Sequence, residues 1–402
     1  MPCCSRGLNR ATRPVSAPPF WISARFGIRR GVHITDIEVR EIRLPLKEPF
    51  RISSGAVTER RILLVRIVDA DGCTAWAECV AGEQPNYSAD TVDTSWLALS
   101  QWFGPRLLGT QVDRATEVDA LLAKGVHGHR MARATLEMAM WGLQAKRSGI
   151  PLSQLLGGTR ADLEVGISIG IQDSPAALVE RARAALASGY RRIKMKIEPG
   201  SDVEHVAAVR SALGPAAPLM VDANNAYSLD DTATLQRLDD FDLMMIEQPL
   251  DHEDIVRHAA LQRVLRTPLC LDESITSLDR AHDMITLRAG RIVNIKPGRV
   301  GGLSAAIAIH DLCESHAIPV WCGGMLESGI GRAYNVALAS LPNFSIAGDI
   351  SPSARYWERD IVSPEWTMTD GMMSVPSAPG IGVSVDADRI DDLTVRTRML
   401  HR

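Results

Sequence analysis

The stretch Arg192-Ile193-Lys194-Met195-Lys196 is a short apolar run that ends in a charged residue. Four further runs of this kind end at Asp222, Glu247, Asp272 and Lys296, and the gaps between successive ends are 26, 25, 25 and 24 residues. One strand, one helix and two turns need about that many residues. The repeat therefore predicts an α/β fold with a TIM-like (β/α)7–8 barrel, whose strand ends meet around one mouth where active sites form.

The composition is that of a soluble globular protein and gives no sign of a nucleic-acid or membrane protein. Hydrophobic residues make up 46% and charged residues 23% of the chain, and the net charge of −4 gives no reason to expect an anionic partner. No apolar stretch is long enough to span a bilayer. The seven cysteines are scattered, which favours a reducing cytoplasm over a disulfide framework. The sequence leaves open whether the protein forms a homo-oligomer.

The length of 402 residues predicts more than one domain. Residues 1–31 carry several arginines and no acid, which favours a disordered tail or a mis-assigned start, with an organelle-targeting peptide as the alternative. A strand pattern lies on each side of the turn Asp71-Gly72, and a helical pattern of apolar residues follows it. Together these patterns predict an N-terminal α+β capping domain at 32–150. We expect the barrel at 151–362 and a C-terminal segment at 363–402 that packs back on the capping domain.

The barrel itself needs strands on both sides of the five charged runs. We expect the first strand at 163–169, the seventh at 319–322 and a weaker eighth around 344–348. The seventh extends the same period of about 25 residues, with helices in the gaps.

Three acids, Asp222, Glu247 and Asp272, close three consecutive strands. Adjacent strands lie about 4.8 Å apart, so inward carboxylates at these ends would crowd together and repel. A hard divalent cation with oxygen ligands removes the repulsion, which predicts Mg²⁺ or Mn²⁺ at this place. The alternative is that the three acids form salt bridges with surface cations.

Lys194 and Lys196 stand two apart in one strand, so both side chains point into the barrel. Burial and neighbouring cations should lower the amine pKa toward that of a general base. Lys296 ends the sixth strand, opposite the second, so Lys196 and Lys296 would flank a ligand from two faces. This arrangement suits removal of a proton α to a carboxylate, with a metal-stabilised enediolate. Arg299 would either help to depress the pKa of Lys296 or be a surface charge.

The motifs at these strand ends also carry a family resemblance. They are Lys194-Met195-Lys196, Asp222-Ala223-Asn224-Asn225, Ile246-Glu247-Gln248-Pro249, Asp272-Glu273 and Asn294-Ile295-Lys296-Pro297. In combination they resemble the muconate-lactonizing subgroup of the enolase superfamily over about residues 33–385. The stretches 321–332, 348–351 and 355–358 are similar to the o-succinylbenzoate synthase and N-succinylamino acid racemase family.

That resemblance implies Mg²⁺ at Asp222, Glu247 and Asp272, with Lys196 and Lys296 as catalytic residues. It also implies further site residues that bind substrate or support the metal ligands. These are Lys194, Ser168, Asn224, Glu273, Gly323, Met325 and Ser53.

Three further expectations concern Glu273, a set of glycines and the capping domain. Glu273 is expected to support a metal ligand or to pair with Lys194. The glycines at 323, 324, 329 and 331 are expected to leave backbone N–H groups bare for a succinyl carboxylate, or to make a tight turn only. The capping domain is expected to lend a lid from 52–55 or 82–87.

The substrate implied is a small carboxylate that carries a succinyl group. The preferred hypothesis is dehydration of 2-succinyl-6-hydroxy-2,4-cyclohexadiene-1-carboxylate, and the alternative is racemisation of N-succinyl or other N-acylamino acids by the same two lysines. A lysine that forms a Schiff base and a barrel that only binds or assembles are the hypotheses from other classes.

Overall fold

The computed structural model describes residues 31–52 and 55–401. Its strands fall into one antiparallel sheet, one parallel sheet and two short pairs. In chain order they are β1 (Val32–Ile52), β2 (Gly55–Asp69), β3 (Thr74–Cys79), β4 (Gln111–Val112), β5 (Asp162–Glu164), β6 (Gly166–Ile169), β7 (Arg192–Lys196), β8 (Leu219–Asp222), β9 (Ile246–Glu247), β10 (Leu269–Leu271), β11 (Ile292–Ile295), β12 (Val320–Cys322), β13 (Val362–Ser363), β14 (Met372–Ser374), β15 (Ser384–Val385) and β16 (Thr394–His401).

Helices follow most of the strands of the parallel sheet. In chain order the α-helices are α1 (Val92–Leu97), α2 (Gly104–Leu107), α3 (Val118–Ala123), α4 (Arg130–Arg147), α5 (Leu152–Leu156), α6 (Pro175–Ala187), α7 (Val203–Leu213), α8 (Thr232–Arg237), α9 (Ile255–Gln262), α10 (Leu278–Leu287), α11 (Pro297–Val300), α12 (Leu303–Ser315), α13 (Gly329–Ala339) and α14 (Ala387–Leu393). A π-helix spans Ala98–Phe103, and 3-10 turns span Ala115–Glu117, Leu229–Asp231, Leu238–Phe241 and Ser353–Arg355. None of the described helices is both long and apolar enough to cross a membrane.

The antiparallel sheet has the order β16-β1-β2-β3. The short strand β4 also pairs with β1, outside this order. The turn at Asp71-Gly72 joins β2 to β3, as the Asp-Gly signal predicts. One face of this sheet is covered by α4, which also contacts α11 of the barrel. Because α4 lies between two layers, nearly all of its side chains are buried, including Met131, Leu136 and Trp141.

The parallel sheet has the order β6-β7-β8-β9-β10-β11-β12, so each strand lies beside the next one in the chain. This is the barrel connectivity that the sequence predicts, with the antiparallel sheet and its helices as an α+β cap. The fold class is therefore confirmed, whereas the domain boundaries stay a prediction.

Two predicted barrel strands differ from the structure. The expected first strand at 163–169 is divided, because β5 pairs antiparallel with β14 and only β6 joins the barrel. The expected eighth strand at 344–348 forms single bridges, from Phe344 to Val320 and from Gly348 to Val165. Side chains take the carbonyls that a ladder would use, since Arg192 Nε donates to the Ala347 oxygen at 2.7 Å.

A buried carboxylate joins the cap to the barrel. Glu137 on α4 accepts the backbone N–H groups of Leu303 (2.8 Å) and Ser304 (2.9 Å), which begin α12, and the indole N–H of Trp141 at 2.8 Å. Gly302, the residue before α12, has φ of 124°, and a Cβ there would lie 2.3 Å from the Glu137 carboxylate. The helix thus receives its N-terminal cap from the other domain.

Replacing Glu137 by alanine should lower the free energy of unfolding by about 2–4 kcal/mol, because several buried donors lose their acceptor. Urea denaturation measures the change. Glu180→Ala on α6 is the control, since that side chain is 74% exposed and should change stability by less than about 0.5 kcal/mol. Equal stability of the two variants would contradict the role of Glu137 as a cap.

Candidate active site

The carboxyl ends of five neighbouring strands bring charged residues into one row. In the sheet register Lys196 is the partner of Asp222, and Asp222 is the partner of Glu247. Asp272 follows β10 directly and Lys296 follows β11 directly. All five residues are buried, with at most 8% of their surface exposed. The even spacing along the chain thus places them at one mouth of the barrel.

Lys196 lies between an acid and an amide. Its Nζ is 2.6 Å from Asp222 Oδ2 and 2.6 Å from Asn224 Oδ1. Asn224 adopts a left-handed backbone conformation (φ 41°), which turns its side chain back toward the strand end. Burial lowers the pKa of the Lys196 amine below its ordinary value, although Asp222 opposes this shift. A lowered pKa is what a general base needs.

Lys296 directly follows β11, which lies four strands away from β7 in the parallel sheet. Its Nζ is 2.7 Å from Asp272 Oδ2 and donates to the Tyr87 hydroxyl at 3.0 Å. Burial alone would lower the pKa of Lys296, but Tyr87, Glu273 and Glu247 together raise it above its ordinary value. The raised pKa keeps Lys296 as the ammonium ion, which suits an acid or a charge-stabilising group.

Lys194 points to the same side as Lys196, as the spacing of two residues predicts. Its Nζ lies 3.2 Å from both Asp222 Oδ2 and Glu247 Oε2, and 2.7 Å from Asp349 Oδ2. Burial lowers its pKa, but these three carboxylates outweigh burial and raise it. Lys194 is thus a buried cation that neutralises neighbouring acids.

Of the two roles expected for Glu273, the pairing with Lys194 is wrong, whereas support of a metal ligand stays a prediction. Glu273 Oε1 instead accepts a hydrogen bond from Asn224 Nδ2 at 2.9 Å. Asp349, in the segment after β12, takes the place expected for Glu273 and also binds Arg192 Nη2 at 2.5 Å. Arg192 is fully buried under the Trp321 ring, 4.4 Å from its centroid. A chain of alternating charges therefore runs from the barrel floor to the strand ends.

The three acids predicted to share a metal are buried but do not converge fully. Among the described residues, the one group of three His, Cys, Asp or Glu ligand atoms within 4.8 Å of one another is His310, Asp311 and Glu314 on α12. Asp272 is bound by two cations of the protein, since Arg299 Nη1 forms an ion pair with its Oδ1 and Lys296 Nζ binds its Oδ2. The crowding expected from strand spacing alone is thus relieved by cations of the protein.

The donor set nevertheless suits a hard divalent cation. Lys194 already bridges Asp222 and Glu247 with one positive charge, which shows where a cation is needed. Glu273 Oε2 and Ser168 Oγ are buried polar atoms without a hydrogen-bond partner among the described residues. Ser168 on β6 is the register partner of Lys194 on β7, so Ser168 borders the same cluster. Oxygen donors of this kind are the ligands that Mg²⁺ prefers.

The expectation of bare N–H groups in the glycine-rich stretch is wrong for three of the four glycines. Gly323 N–H donates to the Ile295 oxygen, Gly329 N–H to Asp360 and Gly331 N–H to Glu78. Gly323 has a different use, since a Cβ there would lie 2.6 Å from Lys296 Cε. Its lack of a side chain makes room for Lys296. Met325 is half-buried against the core.

Two further expectations from the sequence concern Ser53 and Arg299. Ser53 lies outside the described residues, so its predicted role stays a prediction. Arg299 is 4% exposed, so it is not a surface charge. It donates to the Tyr87 hydroxyl (2.9 Å) and the Ile275 oxygen (2.9 Å) in addition to its contact with Asp272.

Three residues of the site lie in stretches that the sequence singled out, but no individual role was predicted for them. Tyr87 lies within the predicted 82–87 lid, but nothing in the sequence assigns its hydroxyl to Lys296. Asn294 donates to Glu247 Oε1 at 2.6 Å, and its position two residues before Lys296, on the same face of the strand, would have indicated this. Asp349 directly follows the weak eighth segment, where the barrel closes. That position would have indicated a residue close to the other strand ends.

Comparison with known proteins gives two family matches that together cover most of the chain. Residues 34–157 match the mandelate racemase/muconate lactonizing enzyme N-terminal domain. Residues 177–389 match the enolase C-terminal domain-like family.

Individual relatives are similar over nearly their whole length. The chain is 47% identical to an o-succinylbenzoate synthase of Geobacillus kaustophilus, over 92% of this chain and 98% of that protein. It is 46% identical to an N-succinylamino acid racemase of an Amycolatopsis species, over 90% and 97%. Among solved structures, an enolase superfamily member from Listeria innocua matches with a TM-score of 0.89 and 35% identity, over 92% of this chain and 99% of that one.

Removing the carboxylate of Asp349 should destabilise the protein strongly, because Arg192 and Lys194 would be left as buried cations with too few partners. We expect Asp349→Ala to lower the free energy of unfolding by about 3–5 kcal/mol in urea denaturation. The exposed Asp283→Ala on α10 serves as the control, with a change below about 0.5 kcal/mol. A small loss for Asp349→Ala would show that the two cations do not depend on it.

Proposed function

Because the chain belongs to the o-succinylbenzoate synthase and N-succinylamino acid racemase family of the enolase superfamily, we propose that it is an o-succinylbenzoate synthase. The reaction would remove water from 2-succinyl-6-hydroxy-2,4-cyclohexadiene-1-carboxylate, a step toward menaquinone. The substrate is thus a small carboxylate with a succinyl group. A cytoplasmic location belongs to the same proposal and agrees with the free cysteines of the described residues.

One observation carries this proposal: two buried lysines flank one set of carboxylates from strands four positions apart. Lys196 Nζ is 2.6 Å from Asp222 on one side, and Lys296 Nζ is 2.7 Å from Asp272 on the other. Lys196, whose pKa is lowered by burial, is the base that takes the proton α to the substrate carboxylate. Lys296, which carries its proton, faces the developing negative charge.

We propose that Asp222, Glu247 and Asp272 hold a divalent cation, Mg²⁺ or Mn²⁺. When bound, the cation supplies positive charge that makes the proton next to the carboxylate more acidic. Asp272, now paired with Arg299, would supply one ligand oxygen, and Arg299 would keep its contacts with Tyr87 and Ile275. Lys194 and Asn294 hold Glu247 in place by donating hydrogen bonds to its two oxygens. Glu273 accepts a hydrogen bond from Asn224, which in turn contacts Lys196.

Racemisation of N-succinylamino acids is the second candidate. It needs a base on each face of the α-carbon, and Lys196 and Lys296 would stand on its two sides, since they contact Asp222 and Asp272 from different strands. A paired assay of the purified protein with the cyclohexadiene acid and with N-succinyl amino acids would measure both activities. The Schiff-base hypothesis requires instead a covalent adduct on Lys196, which borohydride trapping with substrate would reveal.

Asp272→Asn should weaken Mg²⁺ binding by more than about 100-fold, because it removes one charged ligand. Turnover should fall by at least about 100-fold. Calorimetric titration with Mg²⁺ and an assay at saturating metal measure the two effects, and circular dichroism checks the fold. Asp251→Asn is the matched control, since Asp251 is exposed and lies just beyond β9. Normal metal affinity in Asp272→Asn would refute the ligand assignment.

Lys296→Ala should separate the two reactions. Racemisation needs both bases and should fall by about 1,000-fold or more, whereas dehydration needs one base and should fall less. In D₂O the variant should still exchange the α-proton of one enantiomer of an N-succinyl amino acid, as followed by NMR. Lys124→Ala, at an exposed position, should behave like the unchanged protein. Exchange from both enantiomers in Lys296→Ala would show that Lys296 is not the second base.

A further inference from the structure

The two lysines of the site are held by different parts of the molecule. Lys196 Nζ contacts Asp222 and Asn224, which both belong to the barrel. Lys296 Nζ donates to the hydroxyl of Tyr87, which comes from the cap, and lies 4.5 Å from the centroid of the same ring. The cap therefore contacts Lys296 directly, whereas the hydrogen bonds of Lys196 in the described part of the chain stay within the barrel.

The chain after Lys296 forms a short connection to α12, and we call residues 297–302 the Lys296 connection. Its backbone is tied to Lys296 itself, because Val300 N–H donates to the Lys296 oxygen at 3.2 Å. Its far end folds back on its beginning, since Gly302 N–H donates to the Pro297 oxygen at 2.8 Å. A displacement of the Lys296 connection would therefore move the backbone that carries Lys296.

The cap packs against the middle of the Lys296 connection. The cap helix α4 contacts α11, which makes up residues 297–300. Gly298 lies so close to Val80 of the cap that a Cβ on Gly298 would collide with Val80 Cγ2. A Cβ on Gly301 would lie 3.8 Å from Asp119 Oδ1, which also belongs to the cap. Residues of the cap thus leave little space beside the connection.

The far end of the Lys296 connection is fixed to the cap by Glu137. This carboxylate is fully buried and accepts the backbone N–H groups of Leu303 at 2.8 Å and Ser304 at 2.9 Å. A Cβ on Gly302, the last residue of the connection, would collide with the same carboxylate. Because buried N–H groups need an acceptor, the connection cannot leave Glu137 without a cost in free energy.

The chain after Lys196 is held differently. Ile197 N–H donates to the Asp222 oxygen at 2.9 Å, so this hydrogen bond stays within the barrel. A Cβ on Gly200 would meet no atom within 4 Å. Among the described residues, no hydrogen bond joins positions 197–202 to the cap. The barrel alone thus fixes the chain behind Lys196, whereas the barrel and the cap together fix the chain behind Lys296.

We propose that the cap positions Lys296 but not Lys196, and that Glu137 is the positioning residue that fixes the chain behind Lys296. The inference rests on the proposed function, in which the two lysines act on opposite faces of one carbon. Proton transfer needs the amine at a defined distance from that carbon, and a displacement of about 1 Å can slow such a step about 100-fold. Loosening the contact at Glu137 should therefore slow proton transfer on the Lys296 face and spare the Lys196 face.

The test measures the two faces separately in one protein. Exchange of the α-proton of each enantiomer of N-succinylphenylalanine is followed by NMR in D₂O at saturating Mg²⁺, and Lys296→Ala identifies the enantiomer whose exchange depends on Lys296. In Glu137→Gln one acceptor oxygen becomes an NH₂ group. Exchange of the Lys296-dependent enantiomer should fall about 10- to 100-fold, whereas exchange of the other should change less than about 3-fold. A loss of folded protein would lower both rates equally.

Glu137→Ala should shift the ratio of the two rates in the same direction and further, because it removes both acceptor oxygens. Glu137→Gln decides the question if the alanine variant does not fold. Tyr334→Phe is the matched control, because the hydroxyl of this buried residue donates to the Trp76 oxygen at 2.7 Å, another hydrogen bond between barrel and cap. The control should keep the ratio of the unchanged protein.

An unchanged ratio in Glu137→Gln, or an equal fall of both rates, would overturn the inference and leave the proposed function intact. A shift in Tyr334→Phe as large as that in Glu137→Gln would show that Glu137 has no specific role. If the unchanged protein exchanges neither enantiomer, the assignment of the two lysines as bases fails, and the inference fails with it.

Discussion

The structure depends on the balance of charges buried at the carboxyl ends of the barrel strands. Asp222, Glu247, Asp272 and Asp349 are all buried, and each lies against a lysine or an arginine. Buried acids without such partners would take up protons or destabilise the fold. The cations are themselves placed by the same strands, at neighbouring register positions. Charge balance thus ties the fold of the barrel to the chemistry at its mouth.

The cap takes part in this balance through a few buried polar groups. Tyr87 joins Lys296 and Arg299 by its hydroxyl, and Glu78 of β3 accepts the N–H groups of Ser328 and Gly331 at the start of α13. Burial raises the pKa of Glu78 to about 8, so this cap contact holds a carboxyl group that is easily protonated. Cap and barrel are therefore joined by directional contacts close to the active site, which keeps the mouth and its surroundings in one arrangement.

The parts of the site that sequence analysis predicted well are those that follow from strand geometry. Lys196, Asp222 and Glu247 end adjacent strands, so parallel register alone brings them together. Lys194 follows from the alternation of side chains along a strand. These arguments need only local spacing and the assumption of a barrel.

The parts that sequence analysis missed depend on contacts between distant segments. Asp349 binds Lys194 across 155 residues of chain, and no local pattern indicates that pairing. The glycine-rich stretch was misjudged because the acceptors of its N–H groups, Glu78 and Asp360, come from other segments. The ion pair between Asp272 and Arg299 was not predicted, because no spacing rule indicates that Arg299 is buried.

The most direct measurement is a crystal structure of the protein soaked with Mn²⁺, with anomalous scattering used to locate the ion. We expect one strong peak among Asp222, Glu247 and Asp272, between Lys196 and Lys296. A peak only elsewhere, for example at His310, Asp311 and Glu314, would contradict the proposed metal centre.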